Sequence, residues 1–241
     1  MVDLLYGRNA VAEALRAGRR GVRRVLIAAG THGLEPLASL AKSQRVPVVA
    51  VERHELDRLV GGHHQGVVAE AESFPYSRLE ELLVETPLIL ALDSLQDPQN
   101  FGTLLRTALA VDASGAVIPE HRAVAVTPAV SNASAGAVEH FKITRVTNLA
   151  RSLRELKQHG VWVYGLAAEA QRPYWDADLS GPLALVVGSE GSGLGRLVAE
   201  TCDALLQIPM AASSVQSLNA SVAGSLVLYE AFRQRHASQA S

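Results

Sequence analysis

Five polar side chains could carry chemistry in this sequence, and each lies close to the end of a short apolar run. The runs LILAL, LALVV and ALLQI are followed by the polar, glycine-containing segments DSLQDPQNFG, GSEGSGLG and PMAASSVQSLN. Ligands bind at the carboxyl ends of the strands in an open parallel sheet, so these segments are predicted to form one site. Its candidate catalytic residues are Asn100, Arg106, Glu190, Ser217 and Asn219.

The segment GSEGSGLG fits neither of the common glycine-rich nucleotide-binding motifs. A P-loop has Lys and then Ser or Thr after its second glycine, whereas Leu194 and Gly195 follow Gly193 here. A dinucleotide-binding fingerprint would require glycine in place of Arg196 and would open the first βα unit. ATP hydrolysis and nicotinamide chemistry therefore lose their best support.

Local structure offers an alternative explanation for several of these residues. Asn100 is a natural N-cap for the helix FGTLLRTALA, and Ser217 could cap the helix that closes the chain. Asn219 is expected in the first turn of that closing helix, where free backbone N–H groups favour an anion or a carboxylate. Arg106 lies among apolar residues and is expected either in a structural ion pair or in an anion site.

From Leu88 onward, short apolar runs alternate with helical patterns. The predicted strands are LILALD, GAVIP, ITRV, VWVYGL, LALVV and ALLQIP, and the helices include FGTLLRTALAV, LARSLRELKQ and SLNASVAGSLVLYEAFRQR. Continuous apolar strands between amphipathic helices are typical of a parallel sheet that is covered on both faces. The predicted fold class is therefore α/β.

A smaller α/β unit is predicted before this region. The strands RRVLIAA, VPVVAV and GVVAEAE enclose the helices LEPLASLAKSQ and RHELDRLV. The stretch SFPYSRLEELLVETP, bounded by Pro75 and Pro87, is predicted to be a linker with one helical stretch. The expected organisation is an N-terminal domain at residues 1–72, a linker at 73–87 and a second domain at 88–241.

Positive charge is concentrated near the N-terminus, although the net charge of the chain is −2. Residues 1–24 carry six arginines against Asp3 and Glu13. Such an asymmetry indicates an arm that binds an anion, and the alternative is an ordinary solvated face. The candidate anion-binding residues are Arg8, Arg19, Arg20, Arg23 and Arg24.

Several classes of protein are disfavoured by composition. Apolar residues make up 48% of the chain, which excludes a disordered protein. Lone Cys202 cannot form an internal disulfide or a cysteine-based zinc site, and adjacent His63 and His64 are too few to bind a metal, so no metal site is expected. The start MVDLLYGRNAV does not resemble a signal peptide, and no apolar stretch approaches ~18 residues. We therefore expect a cytoplasmic protein that does not span a membrane.

Taken together, the three polar segments resemble the motifs of the SpoU family of RNA ribose methyltransferases, in the SPOUT superfamily. DPQNFGTLLRTA matches the first motif, LVVGSEGSGL the second, and IPM followed by SLNASVA the third. The resemblance extends upstream through YGRNAVAEALRAG and HHQGVVAE and covers nearly the whole chain. The sequence departs from the family pattern at residues 211–216, which are one residue longer, with Ala212 where glycine is common.

The resemblance implies more about structure than the periodicity does. It implies that the C-terminal segment forms a trefoil knot, a rare exception to the rule against knots in proteins. It implies that S-adenosylmethionine lies in that knot and is held largely by backbone groups, and that the knotted domains form a homodimer. By position, the cofactor-binding residues would be Gly188, Ile208, Met210 and Leu218.

The resemblance also implies a reaction and a substrate. The reaction is transfer of a methyl group from S-adenosylmethionine to a ribose 2′-hydroxyl of RNA, and the resemblance favours a guanosine of 23S ribosomal RNA. The N-terminal domain would bind RNA, so the five arginines above, with His64 and Gln65 in the loop GGHHQG, become candidate RNA contacts. The alternatives are the same reaction on transfer RNA and a non-catalytic RNA-binding protein with the same fold.

A ribose hydroxyl is a poor nucleophile at neutral pH, so the site must position it, remove its proton or stabilise the alkoxide. In the family, the residue that matches Arg106 is described as the base, although a guanidinium group keeps its proton at neutral pH. Arg106 would act either as that base or as a partner of the phosphate and the alkoxide. Ser217 and Asn219 would orient the phosphate and Arg106, and Glu190 would pair with Arg106 or shape its loop.

Overall fold

The computed structural model describes residues 2–121, 123–211 and 217–239. Eleven strands are described: β1 (Val2–Tyr6), β2 (Val22–Ala28), β3 (Val48–Val51), β4 (Val67–Glu72), β5 (Leu88–Leu92), β6 (Gly115–Pro119), β7 (Ile143–Val146), β8 (Trp162–Leu166), β9 (Arg172–Pro173), β10 (Leu183–Val187) and β11 (Ala204–Gln207). The described α-helices are α1 (Arg8–Ala17), α2 (Glu35–Ser43), α3 (Arg53–Val60), α4 (Pro98–Ala110), α5 (Pro128–Ala133), α6 (Leu149–Gln158), α7 (Arg196–Thr201) and α8 (Ala220–Gln239).

The chain divides into two units. Unit 1 comprises Met1–Pro75 and Val126–His140, and unit 2 comprises Tyr76–Ala125 and Phe141–Ser241. The segment at residues 126–140, which contains α5, was expected in the second domain but belongs to unit 1. An N-terminal domain that ends at residue 72 therefore omits residues 126–140, which belong to unit 1.

Unit 1 is built on a four-stranded sheet with the order β1-β4-β2-β3. Strand β4 pairs antiparallel with β1 and β2, and β2 pairs parallel with β3. Helix α1 buries Ala10, Val11, Ala14 and Leu15, which lie on one face of the helix. This face packs against the sheet. Gly18 ends α1 in the left-handed conformation, with φ of 58°, as its position after the helical pattern predicts.

The segment at residues 126–140 packs on α1 and β1 within unit 1, and a buried ion pair joins it to the turn between α1 and β2. The Arg20 guanidinium donates through Nε to Glu139 Oε2 at 2.9 Å and also bonds Glu139 Oε1 through Nη2. The Arg20 Nη1 group donates to Asp3 Oδ2 at 2.9 Å, and the side chains of Arg20 and Glu139 are 2% and 1% exposed. Arg20 was predicted to contact RNA, but burial and two carboxylate partners make it a structural residue instead.

Unit 2 is built on a seven-stranded sheet with the order β7-β6-β5-β10-β8-β11-β9. All its described pairings are parallel, and every residue of β5 and β10 is buried. The α/β fold class and the parallel sheet are thus confirmed, whereas the trefoil knot stays a prediction. The order of the strands places the carboxyl ends of β5, β10, β8 and β11 side by side.

Helix α8 is fastened to unit 2 by Arg235 near its C-terminal end. The Arg235 guanidinium donates to the carbonyl oxygens of Thr86 and Pro87, at 3.0 Å each, and of Gly181 at 2.6 Å. Burial lowers the pKa of Arg235, because its partners are neutral carbonyls rather than carboxylates. These contacts attach α8 to the segments that precede β5 and β10.

The strands β1 and β9 and the helices α5 and α7 were not predicted, whereas the strands and helices that were predicted in the two domains are present. The predicted helical stretch of the linker is a single 3-10 turn at Leu79–Leu82. Among the described helices, none has the length and hydropathy that a membrane crossing requires.

The buried ion pair of unit 1 leads to a stability prediction. Replacing Arg20 with methionine leaves Glu139 buried without its cationic partner, and such a change typically costs about 3–5 kcal/mol. Urea unfolding of the full chain, followed by circular dichroism, measures the loss. Arg24→Met is the control, because the Arg24–Glu70 pair is largely exposed and its loss should change the unfolding free energy little.

The double variant Arg20→Met, Glu139→Leu separates the loss of stability due to the unpaired charge from the loss due to altered packing. It removes the unpaired carboxylate, so it should be more stable than Arg20→Met alone. A double variant as unstable as the single one, or a single variant as stable as Arg24→Met, would contradict the assignment.

Candidate functional site

A glycine-rich loop at residues 188–195 follows β10 and has a defined shape. The backbone groups of Ser189 and Gly193 bond each other reciprocally, with both N···O distances at 3.1 Å. A Cβ atom on Gly188 would collide with the backbone carbonyl of Gly193, so this position requires glycine. Gly191 and Gly193 have φ of 89° and 63°, which favour glycine at both positions. The loop is therefore a closed turn rather than an open, extended segment.

Three of the predicted catalytic residues meet at the carboxyl ends of the central strands. Asn100 Nδ2 donates to Glu190 Oε1 at 3.1 Å, and Asn219 Nδ2 donates to Asn100 Oδ1 at 2.9 Å. Asn219 Nδ2 also bonds Glu190 Oε1. The Glu190 carboxylate is therefore fixed by two side-chain amides that come from α4 and from the start of α8.

The caps of these two helices differ from those expected. Asp97 caps α4, because its carboxylate accepts from the backbone N–H groups of Gln99 and Asn100 at 3.0 and 3.4 Å. Asn219 caps α8, because its Oδ1 accepts from Ser221 N at 2.9 Å. The predicted caps Asn100 and Ser217 were therefore wrong. Because Asp97 caps the helix, the Asn100 amide is available to bind Glu190.

A cavity of about 810 Å³ opens beside this group of residues. This volume lies within the range of roughly 300–1,000 Å³ that small-molecule sites occupy. Segments that follow β8, β10 and β11 border the cavity, as does the start of α8. All four predicted cofactor-binding residues border it, together with three predicted catalytic residues: Gly188, Ile208, Met210 and Leu218, and Glu190, Ser217 and Asn219.

Arg106 does not join this group. Its side chain is exposed on α4, and within the described parts of the chain it has no ion pair or hydrogen bond. The expected pairing with Glu190 and the alternative of a structural ion pair are therefore both absent from the residues described. Arg106 lies one turn from Thr103 along the helix, and its guanidinium group is accessible to a ligand.

The arginines near the N-terminus that were predicted to contact RNA differ in their exposure and in their partners. Arg24 Nη2 donates to Glu70 Oε1 at 2.6 Å across neighbouring strands, and this hydrogen bond raises the pKa of Arg24 and lowers that of Glu70. Arg19 lies 5.5 Å from the centre of the Phe74 ring. Arg23 is exposed. Two of the five predicted contacts, Arg20 and Arg24, are therefore paired with carboxylates within unit 1.

The loop that contains His64 and Gln65 also differs from the expectation of an exposed turn. The His64 ring is fully buried: its Nδ1 accepts from Gly66 N at 2.9 Å, and its Nε2 lies 3.0 Å from Asp57 Oδ1. No ring nitrogen is left to contact RNA. Gln65 remains exposed, and its Oε1 accepts from Arg8 N at 3.0 Å. Gln65 and Arg8 thus stay adjacent on the surface of unit 1.

Nucleophilic catalysis by the cysteine does not fit the site. Burial raises the pKa of the Cys202 thiol to about 12, so the thiolate is not populated at neutral pH. In the described residues, no group of three His, Cys, Asp or Glu side chains has an arrangement that could bind a metal.

The sequence analysis missed two acidic residues, one that borders the cavity and one that lies beneath the loop at residues 188–195. Glu169 borders the cavity in the segment after β8, and Asp93 follows β5 directly. Both stand at the carboxyl end of an apolar run, which is the signal that identified the other segments. Asp93 is the first residue of DSLQDPQNFG but precedes the motif DPQNFGTLLRTA, and Glu169 lies outside the three segments. Of the residues 211–216, where a departure from the family pattern was predicted, 212–216 lie outside the described residues.

Comparisons with known proteins agree with this geometry. The family model for RNA 2′-O ribose methyltransferase substrate binding matches residues 4–77, and that of the SpoU rRNA methylase family matches residues 87–229. A TrmH family tRNA/rRNA methyltransferase of Bacillus subtilis is 46% identical, over 97% of this chain and 96% of its own. The 23S rRNA (guanosine-2′-O-)-methyltransferase RlmB of Pseudomonas putida is 44% identical, over 97% of each chain.

A solved structure is also similar. The SpoU methyltransferase AviRb from Streptomyces viridochromogenes, in complex with the cofactor AdoMet, superposes with a TM-score of 0.85. It is 27% identical, over 97% of this chain and 90% of its own. The resemblance identified from the three sequence motifs is therefore confirmed.

Proposed function

Because the chain belongs to the SpoU rRNA methylase family, we propose that it methylates the 2′-hydroxyl of a guanosine ribose in 23S ribosomal RNA. It is an S-adenosylmethionine-dependent RNA methyltransferase. The proposal of 23S ribosomal RNA is supported by the relative whose name carries this specificity, since that similarity extends over both the substrate-binding and the methyltransferase regions. A ribosomal RNA substrate would also place the enzyme in the cytoplasm.

One observation carries the assignment of the cofactor site: every cofactor-binding residue predicted from the motifs borders the same cavity as Glu190 and Asn219. Apolar side chains of Ile208 and Leu218 and the backbone of the loop at residues 188–195 offer contacts for an adenosine and a methionine moiety. The charged residues that border the cavity, within the described chain, are Glu169 and Glu190, which suit a ligand with cationic groups. S-adenosylmethionine supplies a methyl group on a sulfonium, which a hydroxyl oxygen can attack.

The catalytic roles follow from how the side chains are held. The amides of Asn100 and Asn219 fix Glu190, so that the loop that carries it is rigid at the edge of the cavity. Ser217 stands at the same edge and orients the phosphate of the target nucleotide. Arg106, which is exposed, binds that phosphate and stabilises the negative charge that develops on the ribose oxygen as its proton passes to water.

RNA binding is assigned to unit 1 with a smaller set of residues than the sequence alone predicted. Arg8, Arg19, Arg23 and Gln65 are at least partly exposed, and phosphate neutralisation by arginine contributes much of RNA affinity. Arg24 is exposed too, although it shares its charge with Glu70. Arg20 and His64 support the fold instead.

The homodimer predicted from the family resemblance would use a face formed by α4 and α8. Val222, Leu226 and Tyr229 are 46%, 41% and 53% exposed and, with Thr103, border an apolar depression of about 290 Å³. Large exposed apolar side chains in one patch favour association, and a second copy can present the same patch across a twofold axis. Val227, on the same helix, is buried within the unit and does not contribute to this face.

The substrate is tested by mapping 2′-O-methyl groups in RNA from a strain that lacks the gene. We expect one guanosine of 23S ribosomal RNA to lose its modification, and purified enzyme with S-adenosylmethionine to restore it. Loss of a site in transfer RNA instead would overturn the choice of substrate. Unchanged modification of both RNAs, with intact RNA binding, would indicate a non-catalytic protein.

Replacing Arg106 with alanine should lower the single-turnover rate by about 10² or more, the scale seen when a transition-state charge partner is removed. Affinity for S-adenosylmethionine should stay near wild type, because Arg106 does not border the cavity. Lysine keeps the charge but loses the planar fork, so Arg106→Lys should restore little activity. Arg154→Ala, at another exposed arginine of unit 2, is the matched control. A folded Arg106→Ala enzyme with a near-normal rate would remove Arg106 from the catalytic residues.

The proposed dimer leads to a separate prediction. Leu226→Glu places a charge in the centre of the apolar face, where burial without a partner is unfavourable, and should give a monomer at micromolar concentration by light scattering. Leu197→Glu, at an exposed leucine of α7, is the control and should remain dimeric. A monomeric wild-type protein, or a dimeric Leu226→Glu variant, would rule out this interface.

A further inference from the structure

One residue, Asp93, is bonded to the chain both before and after the glycine-rich loop at residues 188–195. Its backbone N–H donates to the carbonyl of Val187, the last residue of β10, at 2.8 Å. Its carboxylate Oδ2 accepts from the backbone N–H of Gly195, where the loop meets α7, at 2.7 Å. Asp93 therefore fastens the two ends of the loop to the end of β5.

The carboxylate of Asp93 is placed beneath the loop and not in the cavity. Asp93 is 7% exposed and is not among the described residues that border the cavity. Its other oxygen, Oδ1, accepts from Ser94 Oγ at 3.2 Å. Burial of a carboxylate is unfavourable unless it is hydrogen bonded, and a hydrogen bond from N–H to a charged oxygen is among the stronger ones. The contact with Gly195 is thus a strong constraint on the loop.

The backbone next to Asp93 is constrained as well. Ser94 has φ of 61°, in the left-handed region that residues with a Cβ adopt only rarely. Such a conformation persists where the surroundings determine it, and it is common at functional sites. The turn at Asp93 and Ser94 directs the carboxylate away from the strand and towards Gly195.

The ends of the loop depend on these anchors, because the loop's own residues provide little stiffness and the bonds of Glu190 hold only its middle. Four of its eight residues are glycine, which makes the sequence GSEGSGLG flexible. Glycine loses more conformational entropy on ordering than any other residue. The reciprocal bonds of Ser189 and Gly193 close the middle of the loop but do not attach it to the sheet.

We propose that Asp93 is a positioning residue for S-adenosylmethionine, which acts by holding the loop at residues 188–195 in the shape that binds the cofactor. The inference rests on the proposed function, in which this loop borders the cofactor site. Asp93 does not touch the cofactor, so its loss acts on cofactor affinity through the loop and leaves the reacting groups in place. Glu190 stays bonded to Asn100 and Asn219, whose contacts do not involve Asp93.

The test uses the full chain with Asp93→Ala and Asp93→Asn. The control is Asp203→Asn, because the Asp203 carboxylate also accepts from a backbone N–H, that of Val163 at 2.8 Å, but precedes β11 at the opposite end of the sheet. Isothermal titration measures the Kd for S-adenosylmethionine, and hydrogen exchange measures the opening of the amides of residues 188–195. Thermal unfolding and the single-turnover rate at saturating cofactor are recorded on the same preparations.

Asp93→Ala should raise the Kd for S-adenosylmethionine by about tenfold or more, as expected when a hydrogen bond to a charged group is lost. Asp93→Asn retains an acceptor oxygen without the charge, so its Kd should lie between that of Asp93→Ala and that of the wild type. Both should speed exchange in the loop while the rate at saturating cofactor stays near wild type. Asp203→Asn should lower the thermal midpoint without changing the Kd.

A wild-type Kd and unchanged loop exchange in Asp93→Ala would overturn the inference, as would an equal loss of cofactor affinity in Asp203→Asn. If Asp93→Ala does not fold, the same two measurements on Asp93→Asn decide. A wild-type protein that binds S-adenosylmethionine but methylates no RNA would contradict the proposed function and leave the role of Asp93 in cofactor binding standing.

Discussion

The hydrogen bonds that hold the Glu190 carboxylate are the constraint on which the site depends. Asn100 comes from α4, Glu190 from the loop after β10, and Asn219 from the start of α8, so three distant stretches of chain must arrive together. The parallel sheet makes this possible, because β5 and β10 are neighbours and their carboxyl ends adjoin. Each amide also has a second partner, which fixes its orientation before any ligand binds. The site is therefore organised by the protein alone, which lowers the entropy that binding must overcome.

Unit 1 depends on a comparable contact of long sequence separation. Arg20 and Glu139 are 119 positions apart, and their pairing brings the segment at residues 126–140 into a unit otherwise formed by the first 75 residues. Gly136 approaches α1 so closely that a Cβ there would collide with Glu13. The arginines near the N-terminus therefore divide between supporting the fold and facing solvent, a division that their number alone does not reveal.

The pattern of apolar runs was sufficient to predict the parallel sheet and most of its strands, because a strand buried on both faces needs continuous apolar sequence. The three motifs predicted the residues of the loop at 188–195, of the segment after β11 and of the start of α8 that border the cavity, whereas Glu169 lies outside the motifs. The cap of α4 was misassigned. Proline favours the first helical position, so Pro98 makes Asp97 the cap. The short β1 contains the charged residue Asp3, and α5 contains polar residues with low helix propensity, so neither stands out from its pattern.

Long-range pairing was the part that the sequence could not reveal. The alternation of residues in β2 gives no indication that Arg20, just before it, meets a carboxylate far along the chain. Nor does the sequence tell whether Arg106 forms an ion pair or remains unpaired, because this depends on which acidic side chains the fold brings near it. Charge composition thus predicted an anion-binding surface, but not which arginines form it.

The position of α8 in the chain has a consequence for how the enzyme is made. Asn219, which completes the site, and Arg235, which fastens the helix to the carbonyls before β5 and β10, both belong to the last part of the chain described. Translation proceeds from the N-terminus, and upstream elements can begin to fold while later ones are still unsynthesised. A nascent chain that has formed the central strands still lacks the amide that fixes Glu190. The Asn219 contact that fixes Glu190 is thus absent until this helix is synthesised, and termination even shortly before it removes that contact together with the Arg235 contacts.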